Sequence, residues 1–202
     1  FRFKRNLVYF SVGTEKVSMT TRLRSDKTFF LPFNKGIDNP VNEKGFETHY
    51  LWEETLQPNC LLDLIENFVH IRTESEKIYD PQSQKVVEKK TDVLIFPRFH
   101  QLNVVQKMKK SIIDEGVGNN YLIQHTTGSG KSLSIGWLSH LLSSLYQNPT
   151  DTKRMFDSII VVTDRRVLDK QIQNTIKQLE QTKGVVCPVD LNSQQLREFL
   201  EQ

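Results

Sequence analysis

Cysteine is scarce in this chain. Only Cys60 and Cys187 occur among its 202 residues, and neither sits in a CxxC or CxxH cluster. A disulfide framework is thereby excluded, and a reducing compartment is the expectation. The five histidines, His49, His70, His100, His125 and His140, also lack the spacing of metal ligands, so no structural zinc is expected. Long apolar runs are missing too. Stretches such as residues 159–162 are far too short to span a bilayer. The opening FRFKRNLVYF is basic but carries no sustained apolar core, so it does not read as a signal peptide. A cytoplasmic protein without membrane association is expected. Because the chain starts at Phe1 and not at methionine, it reads as an internal fragment of a longer protein.

What is present is ordinary for a globular chain: 37% hydrophobic and 25% charged residues. The net charge of +3 is too mild to identify a polyanion ligand. Its distribution is less even. Arg2, Lys4, Arg5, Lys16, Arg22, Arg24 and Lys27 face only Glu15 and Asp26 within the first 33 residues. That strip suits a polyanion, and equally the solvated outer face of a sheet.

Hydrophobic periodicity divides the chain. Val8, Phe10 and Val12 alternate with Leu7, Tyr9 and Ser11, and Gly13-Thr14 offers a reversal into Val17, Met19, Thr21 and Leu23. TFFLPF is a third strand-like run, and NKGIDNPVNEKG reads as a long surface connection. HYLWEETL is a short helical stretch. Pro58-Asn59 introduces a second helix with Leu61, Leu62, Ile65, Phe68 and Val69 on one side. Residues 73–92 are polar and punctuated by Asp80-Pro81, so a linker with a small exposed hairpin is expected there.

Beyond the linker, helix and strand alternate. Pro97 opens a helix, YLIQH is a short strand, and residues 131–146 form a helix. DSIIVVTD is an almost wholly apolar strand, residues 165–181 a helix, GVVCPV a strand and SQQLREFLEQ a further helix. This order predicts an α/β fold whose C-terminal part is a truncated, doubly wound parallel sheet.

The chemistry concentrates in QHTTGSGKS. Phosphate loops are spelled G-x-x-x-x-G-K-[ST], and the first glycine of that pattern falls here on His125. Gly128 and Gly130 allow the backbone to curl so that successive N–H groups converge on phosphate oxygens. Lys131 is placed to reach the β- and γ-phosphates of ATP, and the Ser132 hydroxyl to ligate Mg²⁺. A bare Gly/Ser turn does not account for a Lys-Ser pair opening a helix. Gly136, inside that helix, costs about 1 kcal/mol relative to alanine and suggests close packing on the sheet.

Thr127-Gly128-Ser129-Gly130-Lys131-Ser132 resembles motif I of superfamily 2 helicases, T-G-x-G-K-[ST], where the leading glycine is often absent. PRFHQ, about one helix upstream, resembles their adenine-reading Q-motif, with Gln101 offering one donor and one acceptor to adenine. Arg98 or Phe99 would pack on the base; the alternative is a helix start with a solvated glutamine. In VVTDRRVLDKQ, Arg166, Leu168 and Gln171 match the R-x-L-x-x-Q spacing of motif Ia. There Thr163, Arg165, Arg166 and the helix amides would hold a nucleic-acid backbone, unless the stretch is only an amphipathic helix with a charged first turn.

FSVGTEKVSMTTRL, TFFLPFNKG, HYLWEETLQPNCLLDLIENFVH, FPRFHQ, QHTTGSGKS and DSIIVVTDRRVLDKQ together resemble the motor (R) subunit of type I restriction enzymes. FLPFNKG and YLWEETLQP make the resemblance specific, since generic helicases lack them. It implies a nuclease followed by two RecA-like motor domains, coupling ATP hydrolysis with Mg²⁺ to translocation on double-stranded DNA and cleavage at remote sites. Methylation and specificity subunits are the implied partners. Residues 1–72 would be an α+β remnant of the nuclease domain with its connection, and 93–202 the first RecA-like domain. No P-D…(D/E)-x-K carboxylate set precedes the motor segment and no Asp-Glu box follows the loop. The stretch is therefore expected to bind nucleotide without hydrolysing it or cutting DNA alone, or to act as a connector between nuclease and motor.

Overall fold

Residues 6–81, 84–148, 150–180, 186–189 and 193–201 are described by the computed structural model. The alternation around Phe10 closes into a hairpin of β1 (Tyr9–Val12) and β2 (Val17–Thr20), with Gly13 N–H donating to Lys16 O at 2.9 Å. A short β3 (Leu31–Pro32) completes an antiparallel sheet in the order β1-β2-β3. Val17 and Met19 are buried on one face, as the alternation predicts.

Phe33, directly after β3, is the centre of an aromatic cluster. Its ring packs against Phe10, Phe96 and Phe99, with Phe10 at a centroid distance of 5.2 Å and Phe99 edge-on at 5.6 Å. Its carbonyl accepts the buried Tyr50 hydroxyl at 2.6 Å. NKGIDNPVNEKG, expected as a surface connection, is partly pinned inward. Asn39 is buried, donates to Glu15 O at 2.7 Å, and accepts from Lys35 N–H at 2.9 Å. Its side-chain amide satisfies backbone that strand pairing leaves open.

The expected helix HYLWEETL is a single π-helical turn, Leu51–Thr55. Pro58 then starts α1 (Pro58–Asp63), where its missing N–H costs nothing, and a second π-helical turn, Leu64–Phe68, buries Leu64 and Phe68. The polar stretch after it forms a ribbon much longer than the small hairpin expected. β4 (His70–Asp80) and β5 (Lys85–Ile95) pair antiparallel from His70↔Ile95 to Asp80↔Lys85.

Burial pushes the Tyr50 phenol up to about 12, and the nearby Glu54 carboxylate adds to the rise while Asn39 opposes it. The raised folded-state value favours the neutral phenol. Its stabilising share is complete below the unfolded value of about 10 and is lost as pH rises towards 12. Denaturant unfolding should therefore show stability falling above pH 10. Tyr50→Phe should flatten that fall and cost roughly 1–2 kcal/mol at neutral pH by orphaning the Phe33 carbonyl. Equal pH slopes in the two proteins would refute this account.

The chain divides into two compact units, Phe1–His100 and Gln101–Gln202. Its helices beyond the ribbon are α2 (Phe99–Glu115), α3 (Lys131–Ser143), α4 (Arg166–Gln178) and α5 (Ser193–Leu200). In the second unit α3 packs on α4. Gly136 is the contact point: a Cβ there would lie 2.6 Å from Leu179 Cδ1. His140 Nε2 adds a hydrogen bond to Ile176 O at 2.8 Å. The glycine thus serves a helix pair and not the sheet contact expected of it.

The architecture is mixed α/β, but the doubly wound parallel sheet is not formed among the described residues. All strand ladders there are antiparallel. Residues 121–125 and 157–164 are without strand structure, and Leu122 and Val162 are largely exposed. GVVCPV lies partly outside the described residues, and its residues 186–189 form no strand. The physical difference is one of range. Helix hydrogen bonds close within four residues, whereas a parallel strand exists only if neighbours across long crossovers complete its ladder.

Candidate functional site

The loop between residue 125 and α3 has the backbone that its glycines predict. Gly128 has φ +78 and Gly130 φ +80, the left-handed region that side chains disfavour. Gly130 is the N-cap of α3, so the chain turns from the loop directly into the helix. Its carbonyl accepts Leu133 N–H at 3.0 Å and starts the helical ladder. The first-turn amides of such a helix have no intrahelical acceptor and carry the positive end of the helix dipole. They make an anion seat at the position where the motif requires one.

Lys131 closes over the loop. Its Nζ donates to Thr126 O at 2.9 Å and to His125 O at 3.2 Å, so the loop wraps around the ammonium. Thr127 and Gly128 are exposed, Ser132 is half-buried and Ser129 is buried. The leading His125 contributes its carbonyl to Lys131, a role that any residue type fulfils.

Gln101 is brought to the loop, although not as a solvated group. It is 2% exposed, and its Nε2 donates to Gly130 O at 3.0 Å and Ser129 O at 3.2 Å. The sequence carries a signal for this burial that the Q-motif spelling does not use. Gln101 and Val105 lie four residues apart on one face of α2, and Val105 is fully buried. A glutamine on a buried face needs partners. Phe99, considered for stacking on a base, instead packs edge-on against Phe33 and against Tyr50 at 5.2 Å.

Thr163, Arg165 and Arg166 mark the turn into α4. Arg165 is its N-cap in extended conformation, and Arg166 is its first residue. Both arginines are exposed, Thr163 is half-buried, and Arg165 lies 3.6 Å from Asp164. An ion pair that open to water contributes little. α3 meets α4 at Thr175–Leu179, so the arginines stand about 9 residues or more, roughly 14 Å of helix, from that contact. Of the basic strip, Arg2, Lys4 and Arg5 lie outside the described residues. Lys16 pairs with Asp38 at 3.0 Å, which raises its pKa, while Arg22, Arg24 and Lys27 are exposed.

For Mg²⁺ the donor set is a single hydroxyl, Ser132 Oγ. That fits a cation which takes one or two protein ligands, with phosphate oxygens and water supplying the rest. No group of three or more His, Cys, Asp or Glu is arranged to hold a metal among the described residues. A cavity of about 350 Å³ exists elsewhere in the second unit, walled by Ile159, Val161, Ile172, Ile176 and Phe199 among others. No residue of the loop lines it. Its walls include the apolar segments that the sequence assigns to strands, so it reads as unfilled core. No helix among the described residues is long and apolar enough to cross a membrane.

A family model described as SWI2/SNF2 ATPase matches residues 100–202, which include the loop, Gln101 and the α4 turn. No curated protein and no solved structure matches the chain.

Proposed function

Because the chain belongs to the SWI2/SNF2 ATPase family, we propose that it is the nucleotide-binding part of a motor that translocates double-stranded DNA, of the type I restriction R-subunit kind. Membership makes it a superfamily 2 helicase-like ATPase. The observation that carries the nucleotide half of the proposal is the left-handed Gly128–Gly130 turn delivering Lys131 to the start of α3.

The restriction-type half is supported in the first unit. FLPFNKG and YLWEETLQP, which set the R subunit apart from other helicases, interlock here. Tyr50 O–H donates to Phe33 O, Lys35 Nζ sits 5.3 Å above the Tyr50 ring, and Lys35 pairs with Glu54 at 2.6 Å. Two segments that fold onto each other depend on each other structurally, which makes their joint occurrence informative. On this reading 1–72 ends the nuclease region, 73–92 is the linker and 93–202 begins the first RecA-like domain. The partners are then methylation and specificity subunits, and the location cytoplasmic. A different superfamily 2 DNA or RNA motor is the second reading, favoured by a family match confined to residues 100–202.

In the proposed site Lys131 gives up its two carbonyl acceptors for β- and γ-phosphate oxygens, exchanging neutral partners for charged ones. The α3 amides orient the phosphate chain, and Ser132 Oγ holds the cation. When bound, Mg²⁺ neutralises the charge that builds up on the phosphates. Thr163, Arg165, Arg166 and the α4 amides contact the DNA backbone.

The test is nucleic-acid dependence. In the motor assembled with its methylation and specificity subunits, Arg165→Ala/Arg166→Ala should reduce DNA stimulation of the ATPase about tenfold. The salt slope of DNA binding should fall by about two contacts, with nucleotide affinity unchanged. Stimulation by RNA but not by duplex DNA would support the second reading and sink the first.

A further inference from the structure

Gln101 reaches the phosphate loop from another helix, α2, and its geometry suits a task other than reading a base. Its Nε2 donates to Ser129 O and Gly130 O, consecutive carbonyls of the loop. No peptide bond among the described residues is cis. In a planar trans peptide the C=O and the following N–H point in opposite directions. Fixing Ser129 C=O towards Gln101 therefore turns the Gly130 N–H the other way, and fixing Gly130 C=O does the same for the Lys131 N–H. Those two amides are the ones that the phosphate-loop pattern asks to face the triphosphate.

We propose that Gln101 is a positioning residue of the phosphate loop, which sets the direction of the Gly130 and Lys131 amides by pinning the two carbonyls behind them, and so tunes affinity for the triphosphate whatever its base. The inference rests on the loop being a nucleotide site. Three features of the geometry converge on it. The helix ladder already restrains Gly130 O through Leu133 N–H, whereas Ser129 O lies before the helix, and Gln101 Nε2 reaches it there. Gln101 is 2% exposed and so held rigidly, as an orienting group must be. A Cβ on Gly130 would collide with Gln101 Nε2, so the second glycine of the motif is also the space that the amide occupies.

The substitution that separates the roles is Gln101→Glu, which keeps the shape and replaces the donor with a carboxylate facing two carbonyl oxygens. Gln101→Leu, which removes the donor without adding charge, serves if the first variant does not fold. Binding of Mg·ATP, Mg·GTP and Mg·tripolyphosphate to the 202-residue chain should weaken by a common factor, on the order of ten- to a hundredfold. Amide NMR shifts of Gly130 and Lys131 should move in the absence of any ligand, while that of Gly136 stays. A loss confined to Mg·ATP would assign Gln101 to the adenine and overturn the proposal. So would unchanged binding of all three ligands. If the unsubstituted chain binds none of them, the nucleotide reading itself fails, and the amide shifts still decide whether Gln101 sets the loop.

Discussion

Replacing Lys131 by alanine should abolish measurable Mg·ATP binding, a loss of at least about a hundredfold, with thermal stability nearly unchanged. The asymmetry arises from where the ammonium lies. It is exposed, and its present partners are two backbone carbonyls, His125 O and Thr126 O, which water solvates once the side chain is gone. Removing it should therefore cost the fold only a few tenths of a kcal/mol, as exposed polar changes do. Against a triphosphate the same group is a charge-assisted donor at the centre of an anion seat. Loss of such a contact costs about 3 kcal/mol, or roughly a hundredfold in affinity. Lys131→Arg should recover part of the binding, since the charge returns but the planar fork does not fit a space shaped for an ammonium. Calorimetric titration with Mg·ATP, next to a thermal melt of each variant, checks both halves. Retained affinity in Lys131→Ala would remove the loop from the nucleotide site.

The second large effect is expected at Gly130, and it comes as a contrast. Gly128 and Gly130 share nearly the same left-handed backbone, with φ +78 and +80. Placing alanine in that conformation costs about 1–2 kcal/mol at either position. Their surroundings differ. A Cβ on Gly128 meets nothing within 4 Å, whereas one on Gly130 runs into the Gln101 amide. Gly128→Ala should thus weaken triphosphate binding by about thirtyfold at most, through backbone cost alone. Gly130→Ala must also expel Gln101 from a buried position and break its hydrogen bonds to Ser129 O and Gly130 O, at about 1–3 kcal/mol more. A loss of binding of about a hundredfold or more, with a lower melting temperature, is the expected result. Equal effects at the two glycines would mean that conformation alone matters and that Gln101 does not seat against Gly130.

Local features of this chain were legible in its sequence because they are encoded within a few residues of each other. The Gly13 reversal, the helix opened by Pro58, the α3 start at Lys131 and the α4 start at Arg166 all come from such signals. The left-handed turn at Gly128 and Gly130 was legible for the same reason: the glycines that allow it are in the turn itself. The features that escaped the sequence depend on distant partners. Nothing adjacent to Gly136 says that it faces Leu179 and not a strand. Nothing in DSIIVVTD says whether a ladder forms beside it, since apolar runs specify burial and not the neighbour. Gln101 lies between these cases. Its burial is written in the spacing to Val105, but its acceptors, 28 and 29 residues away, are not.

The β4–β5 ribbon has a consequence for how this protein tolerates crowding. A two-stranded sheet has an open edge on each strand, here 11 residues long, and such edges recruit further strands into fibres. Tyr79 and Val86, opposite each other near the turn, are also exposed. The rest of the ribbon discourages recruitment. Glu76 faces Lys89 and Lys77 faces Glu88, so opposite charges are matched within the molecule. A strand added from another copy would have to dehydrate those charges without offering the same match. The polarity that makes residues 73–92 read as a linker is also what opposes edge-to-edge pairing of the ribbon between copies.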